Sequence, residues 1–119
     1  MGGPVLERAT ERLGLVHSDL QGPLPESHGG NKYAIVFVDD LTRMRTVYPL
    51  KRKSDALDAF KTYEREVAQA EGLAIKRFRA DNGGEFTSKE MADFCISRGT
   101  KQEFSAPHTA AQNGIAERS

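Results

Sequence analysis

The apolar positions change period along the chain, and each change marks a different element. Leu13, Leu15, His17 and Asp19 alternate, so Leu13–Leu20 reads as a strand with Asp19 on the face of Leu15 and His17. Gly22, Pro23, Pro25, Gly29 and Gly30 then mark a loop. Tyr33–Val38 is a near-continuous apolar run rich in β-branched residues, as in a strand buried on both faces. Asp39 and Asp40 alternate across that strand's end and are expected to serve the turn through Arg43. Met44–Leu50 is the returning strand, placed at a sheet edge because Pro49 has no N–H to donate.

The period then becomes helical. Ser54 is expected to cap a helix whose stripe is Leu57, Phe60, Tyr63, Val67 and Ala70, with Gly72 as its stop. Leu73–Ala80 reads as a strand running into Asp81. Thr87-Ser88-Lys89-Glu90 matches a capping box, followed by a stripe of Met91, Phe94 and Cys95 and a stop at Gly99. Lys101–Phe104 is a last short strand, Pro107–Asn113 a loop, and the final residues begin a helix. Three strands followed by alternating helices and strands predict an α/β chain with a mixed sheet flanked by helices. Residues 1–12 read as a tail or connector and 13–119 as one domain.

Composition narrows the function classes. Seventeen Lys and Arg balance seventeen Asp and Glu, so any contact with nucleic acid must use a local patch or metal-bridged phosphates. The basic clusters are Lys51-Arg52-Lys53, expected as solvated surface, and Lys76-Arg77-Phe78-Arg79, which runs into Asp81 and is the better candidate to face a phosphate. A single cysteine, Cys95, excludes an internal disulfide framework. No apolar stretch is long enough for a membrane span, and the three histidines are too scattered for a zinc site.

The chemistry is carried by three acidic segments: His17-Ser18-Asp19-Leu20-Gln21-Gly22-Pro23, Arg79-Ala80-Asp81-Asn82-Gly83-Gly84-Glu85-Phe86, and Gln112-Asn113-Gly114-Ile115-Ala116-Glu117-Arg118. Thirty-five residues separate Asp81 from Glu117. Asp19 lies inside an apolar strand pattern, where burying a charge is costly unless a cation compensates. A pair of small hard cations needs only two or three carboxylates drawn from different elements. With Gly30-Asn31-Lys32-Tyr33, Asp39-Asp40-Leu41-Thr42-Arg43 and Phe94-Cys95, these segments resemble the catalytic core of retroviral-type integrases in the form carried by copia-like retrotransposons.

That resemblance implies a ribonuclease-H-like fold, a five-stranded sheet with the first and fourth strands as neighbours. It implies that Asp19, Asp81 and Glu117 bind two Mg²⁺ or Mn²⁺ ions, Asp19 touching both, and that Asn82, Gly83, Gln112 and Asn113 contact DNA. The implied activity is DNA integration: phosphoryl transfer that processes a 3′ end and joins it to a target strand. DNA ends and a target duplex would be the partners, the full-length family acts as a multimer, and an active element would work in the nucleus. His108, Ala110 and Ala111 depart from the family's usual residues in the loop before Glu117. Only Arg118 and Ser119 follow Glu117, so the last helix is expected to be truncated, with Glu117 loosely held and joining activity low. The alternative is a catalytically inactive integrase remnant with weak nucleic-acid binding.

Overall fold

The computed structural model describes residues 9–25, 30–81 and 83–104. Its strands are β1 (Val16–Gln21), β2 (Tyr33–Asp39), β3 (Arg45–Leu50), β4 (Arg77–Ala80) and β5 (Lys101–Phe104). They form one sheet in the order β3-β2-β1-β4-β5, with β3, β2 and β1 antiparallel and β1, β4 and β5 parallel. The expected neighbourhood of the first and fourth strands is present, and Pro49 lies on an edge strand as its missing donor requires.

Register divides the sheet into two unlike faces. Val16, Ile35, Phe37, Leu50, Phe78 and Ala80 point into the core that also takes Ala56, Ala59, Phe60 and Tyr63 from one helical segment and Phe86, Met91 and Cys95 from another. Stacked rings tie the layers together, Phe60 on Phe78 at 4.1 Å and Phe37 on Tyr63 at 4.6 Å between centroids. The opposite face carries His17, Asp19 and Gln21 from β1, Val36 and Val38 from β2, Arg45 from β3, Arg77 and Arg79 from β4, and Glu103 from β5.

The helices are α1 (Ala56–Tyr63), α2 (Gly84–Thr87) and α3 (Lys89–Arg98). Two caps differ from expectation. A 3-10 turn, Lys53–Asp55, precedes α1, so Asp55 rather than Ser54 stands at the α1 N-cap; its carboxylate makes no bond to α1 and instead accepts from the Arg52 N–H that opens the turn, at 3.2 Å. The α3 cap is Ser88, one residue later than the box suggested, because α2 occupies Thr87; the Ser88 hydroxyl accepts from the Met91 N–H. Beyond Tyr63 the helix widens into a π turn over Glu64–Ala68 and tightens to a 3-10 turn before Gly72. Gly72 and Gly99 end their helices as expected.

Leu13 and Leu15 are fully buried but lie outside β1, which begins at Val16. Leu13 holds a left-handed backbone (φ 62°) that costs a leucine on the order of 1 kcal/mol or more. Two buried carboxylates hold it there. Asp39 accepts from the Leu13 N–H at 3.0 Å and from the Thr42 hydroxyl at 2.6 Å. Asp40 accepts from the Ala9 N–H at 2.8 Å and meets His17 Nε2 at 2.7 Å. The turn role expected of these aspartates is present, and they also fasten residues 9–13 to the sheet. Arg12 to Glu71 (2.7 Å) and Lys76 to Glu11 (2.8 Å) complete the attachment.

Candidate metal centre

Strand pairing puts two of the three candidate acids at the same end of neighbouring strands. In the parallel ladder Val16 faces Phe78 and His17 faces Arg79. Asp19 lies two residues beyond His17 on β1 and Asp81 two beyond Arg79, just past the end of β4, so both follow the last paired residues at the same end of the ladder. This is the carboxyl end of a parallel pair, where open α/β sheets place their ligand sites. The apolar strand pattern predicts a buried charge at Asp19. It is exposed, because its side of β1 is the face turned away from the helical core. Asp81 is exposed as well.

The Asp81 turn is shaped by its neighbours. Asp81 Oδ1 accepts from the Gly83 N–H at 2.8 Å, folding the chain back so that α2 can start at Gly84. A Cβ at position 83 would collide with the flexible end of Glu85 at Oε2 and stand 3.0 Å from Asp81 Oδ1, so glycine lets two carboxylates flank the backbone without displacing either. Gly83 therefore has a structural use at this turn, beside the expected DNA contact. Glu85 did not emerge from the sequence pattern, which gives no sign that its side chain folds back toward Asp81.

Glu117, Gln112, Asn113 and Asn82 lie outside the described residues. Among the described residues no group of three or more His, Cys, Asp or Glu is placed to hold a metal. What remains is a pair of solvent-facing carboxylates at adjacent strand ends. Oxygen-only donors of this kind suit Mg²⁺ or Mn²⁺, which keep several waters, and do not suit a soft metal.

Directly beneath that pair runs a row of paired charges. Arg79 grips one oxygen of Glu103 through Nε (3.1 Å) and a terminal nitrogen (2.7 Å), and Arg77 lies 3.5 Å from the other oxygen. Burial raises the Glu103 pKa, but the Arg79 hydrogen bond and charge, aided by Arg77, outweigh it and leave the carboxyl below its ordinary value. The stretch expected to face a phosphate, Lys76-Arg77-Phe78-Arg79, thus has partners within the chain. Both arginines bind Glu103, Lys76 binds Glu11, and Phe78 is in the core. The sequence could not show this, since it does not say which residue a strand meets across the ladder.

The integrase core domain profile matches residues 9–110. The chain is 44% identical over 113 residues to the retrovirus-related Pol polyprotein from transposon TNT 1-94 of Nicotiana tabacum, covering 94% of this chain and 8% of that polyprotein. It is 34% identical over 110 residues to the Pol polyprotein from transposon RE1 of Arabidopsis thaliana, covering 92% and 7%. The chain thus spans less than a tenth of the length of these relatives. Among solved structures, a simian T-cell lymphotropic virus intasome in complex with PP2A regulatory subunit B56 gamma matches with a TM-score of 0.72 at 17% identity, over 88% of this chain and 36% of that one.

The fold is ribonuclease-H-like, a mixed five-stranded sheet flanked by helices. The chain belongs to the integrase core domain family and matches one segment of each of these transposon Pol polyproteins. No helix among the described residues is long and apolar enough to cross a membrane.

Proposed function

We propose that this chain is the phosphoryl-transfer core of a copia-like retrotransposon integrase, acting on the element's DNA ends and on a target duplex. The observation that supports this reading is the parallel pairing of β1, which carries Asp19, with β4, which leads into Asp81 at the same end of the sheet. Asp19 would be shared between two Mg²⁺ or Mn²⁺ ions, with Asp81 on one and Glu117 on the other. Such ions, when bound, activate the attacking oxygen and stabilise the leaving oxygen of an in-line displacement.

The chain's own part is to hold these carboxylates on a rigid sheet and leave them open to solvent and substrate. The attacking oxygen comes from water in end processing and from the freed 3′-hydroxyl in joining. In each step one P–O bond forms as one breaks, and no covalent link to the protein is made. Asn82, Gly83, Gln112 and Asn113 are assigned to the DNA beside the acids, the working form to a multimer, and the site of action to the nucleus.

A labelled DNA end incubated with target duplex and Mg²⁺ tests the reading. A low level of joined product is expected, and Asp19→Asn, Asp81→Asn and Glu117→Gln should each abolish it. Activity that survives Asp19→Asn or Asp81→Asn would reject the shared site. DNA binding with no joining, unchanged when the chain is extended beyond Ser119, would instead favour an inactive remnant.

A further inference from the structure

Arg79 is a cation placed one step from the two acids and held away from them. The β1–β4 ladder sets it opposite His17, and the β4–β5 ladder sets it opposite Glu103. Asp81 follows Arg79 by two residues and Asp19 follows His17 by two, about 7 Å along a strand in each case. An extended arginine side chain covers such a gap. A guanidinium free to turn would have Asp19 and Asp81 within reach, and a forked pair with either would fill the oxygens that a cation needs. Asp40, which meets His17, is already taken by that ring and by the Ala9 N–H.

The guanidinium is turned the other way. Its Nε and a terminal nitrogen both reach one Glu103 oxygen, at 3.1 and 2.7 Å, on the side of β4 away from β1. The Arg79 side chain is only 11% exposed, so the charge has given up much of its water and depends on that acceptor. Arg77 lies 3.5 Å from the other Glu103 oxygen, so one carboxylate engages both arginines of β4. Glu103 itself stands on an edge strand with β4 between it and Asp19, which keeps it from serving as a third ligand beside that acid.

We propose that Glu103 is a positioning residue of the metal centre: across the β4–β5 ladder it holds and neutralises Arg79, keeping that positive charge off Asp19 and Asp81 and leaving both acids open to divalent cations. This role rests on the metal-binding part of the integrase reading and adds to it a residue that touches neither metal nor DNA. Without Glu103 the fold would place a cation where it competes with the metal for the same oxygens.

The test is Mn²⁺ titration of the 119-residue chain, followed by the electron paramagnetic resonance signal of free Mn²⁺, with urea midpoints from the same preparations. Glu103→Gln should weaken Mn²⁺ binding by about tenfold or more. Combining it with Arg79→Gln should bring the affinity back to within about threefold of the unaltered chain. Arg79→Gln alone should bind as tightly or more tightly. A pair that only braces the sheet gives a different pattern: either single change breaks it, both lose affinity alike, and the double does not recover. That pattern, or an unchanged affinity in Glu103→Gln, overturns the proposal. Should the urea midpoint show Glu103→Gln to be unfolded, Arg79→Gln decides alone, equal or tighter binding supporting the role and a loss of about tenfold rejecting it. Mn²⁺ binding that is absent from the unaltered chain, or that survives both Asp19→Asn and Asp81→Asn, would instead reject the metal seat itself and the role of Glu103 with it.

Discussion

The two ends of the sheet carry two pairs of aspartates in opposite circumstances. Asp39 and Asp40, at the end where β2 turns back, are each 2% exposed and have backbone N–H groups on their oxygens. Asp19 and Asp81, at the other end, face solvent, and the hydrogen bond that Asp81 accepts from the Gly83 N–H is local to its own turn. A carboxylate whose lone pairs are already filled by donors has nothing left for a cation. One that is open to water can exchange that water for a metal or a substrate. Sequence type alone does not separate the pairs, whereas burial and donors do.

Breaking each pair should therefore have opposite consequences. Asp39→Ala strips the Leu13 N–H and the Thr42 hydroxyl of their acceptor and should cost about 3 kcal/mol or more, with a similar loss for Asp40→Ala. Asp19→Asn and Asp81→Asn should stay within about 0.5 kcal/mol of the unaltered chain. Urea midpoints of the four variants make the measurement. Equal losses at both ends would erase the distinction.

The row between the ends gives a smaller, pH-dependent effect. Glu103 has its folded pKa lowered, so its stabilisation is fully present above the ordinary glutamate value of 4.5 and is lost as pH falls toward the lowered one. Glu103→Gln should flatten the stability profile below about pH 4.5 and weaken the hold on Arg79 above it. Thermal melts from about pH 2.5 to 7 would show it, and parallel profiles would argue that the Arg79 pairing is energetically idle.

Smaller again is Gly83→Ala. Its φ of −60° suits alanine, so the cost is the displaced end of Glu85, under about 1 kcal/mol. Adding Glu85→Ala should restore the turn, and a double-mutant cycle on denaturant midpoints and Mn²⁺ affinity reads the coupling. The least perturbing probe is Cys95 on α3, whose thiol is pushed up to about 11 by burial. At about pH 8 it should react with a thiol reagent at least tenfold more slowly than in the urea-unfolded chain. Equal rates would mean that the helical layer opens readily.

The element order was legible because the apolar period switches from two to about 3.6 and back, and the helix stops at Gly72 and Gly99 follow from residue type. Periodicity also put Asp19 on the face of His17. It could not say that this face turns from the helical core, so the buried charge expected there is an exposed one. The cap shifts from Ser54 to Asp55 and from Thr87 to Ser88 depend on turns preceding α1 and α3, which compete for the same few residues. The adjacency of β1 and β4 came from family resemblance alone, because nothing local specifies which parallel strand a strand will meet. For the same reason the Glu103 partners of Arg77 and Arg79 were invisible.

Paramagnetic broadening by Mn²⁺ in a ¹⁵N-labelled sample reports most directly on whether the fold makes one cation seat from two distant residues. Substoichiometric Mn²⁺ should broaden the amides around Asp19 and around Asp81 together and most strongly, those of Asp39 and Asp40 less, and lose these effects in Asp81→Asn. Bleaching confined to one of the two segments, or centred on the buried pair, would contradict the shared site.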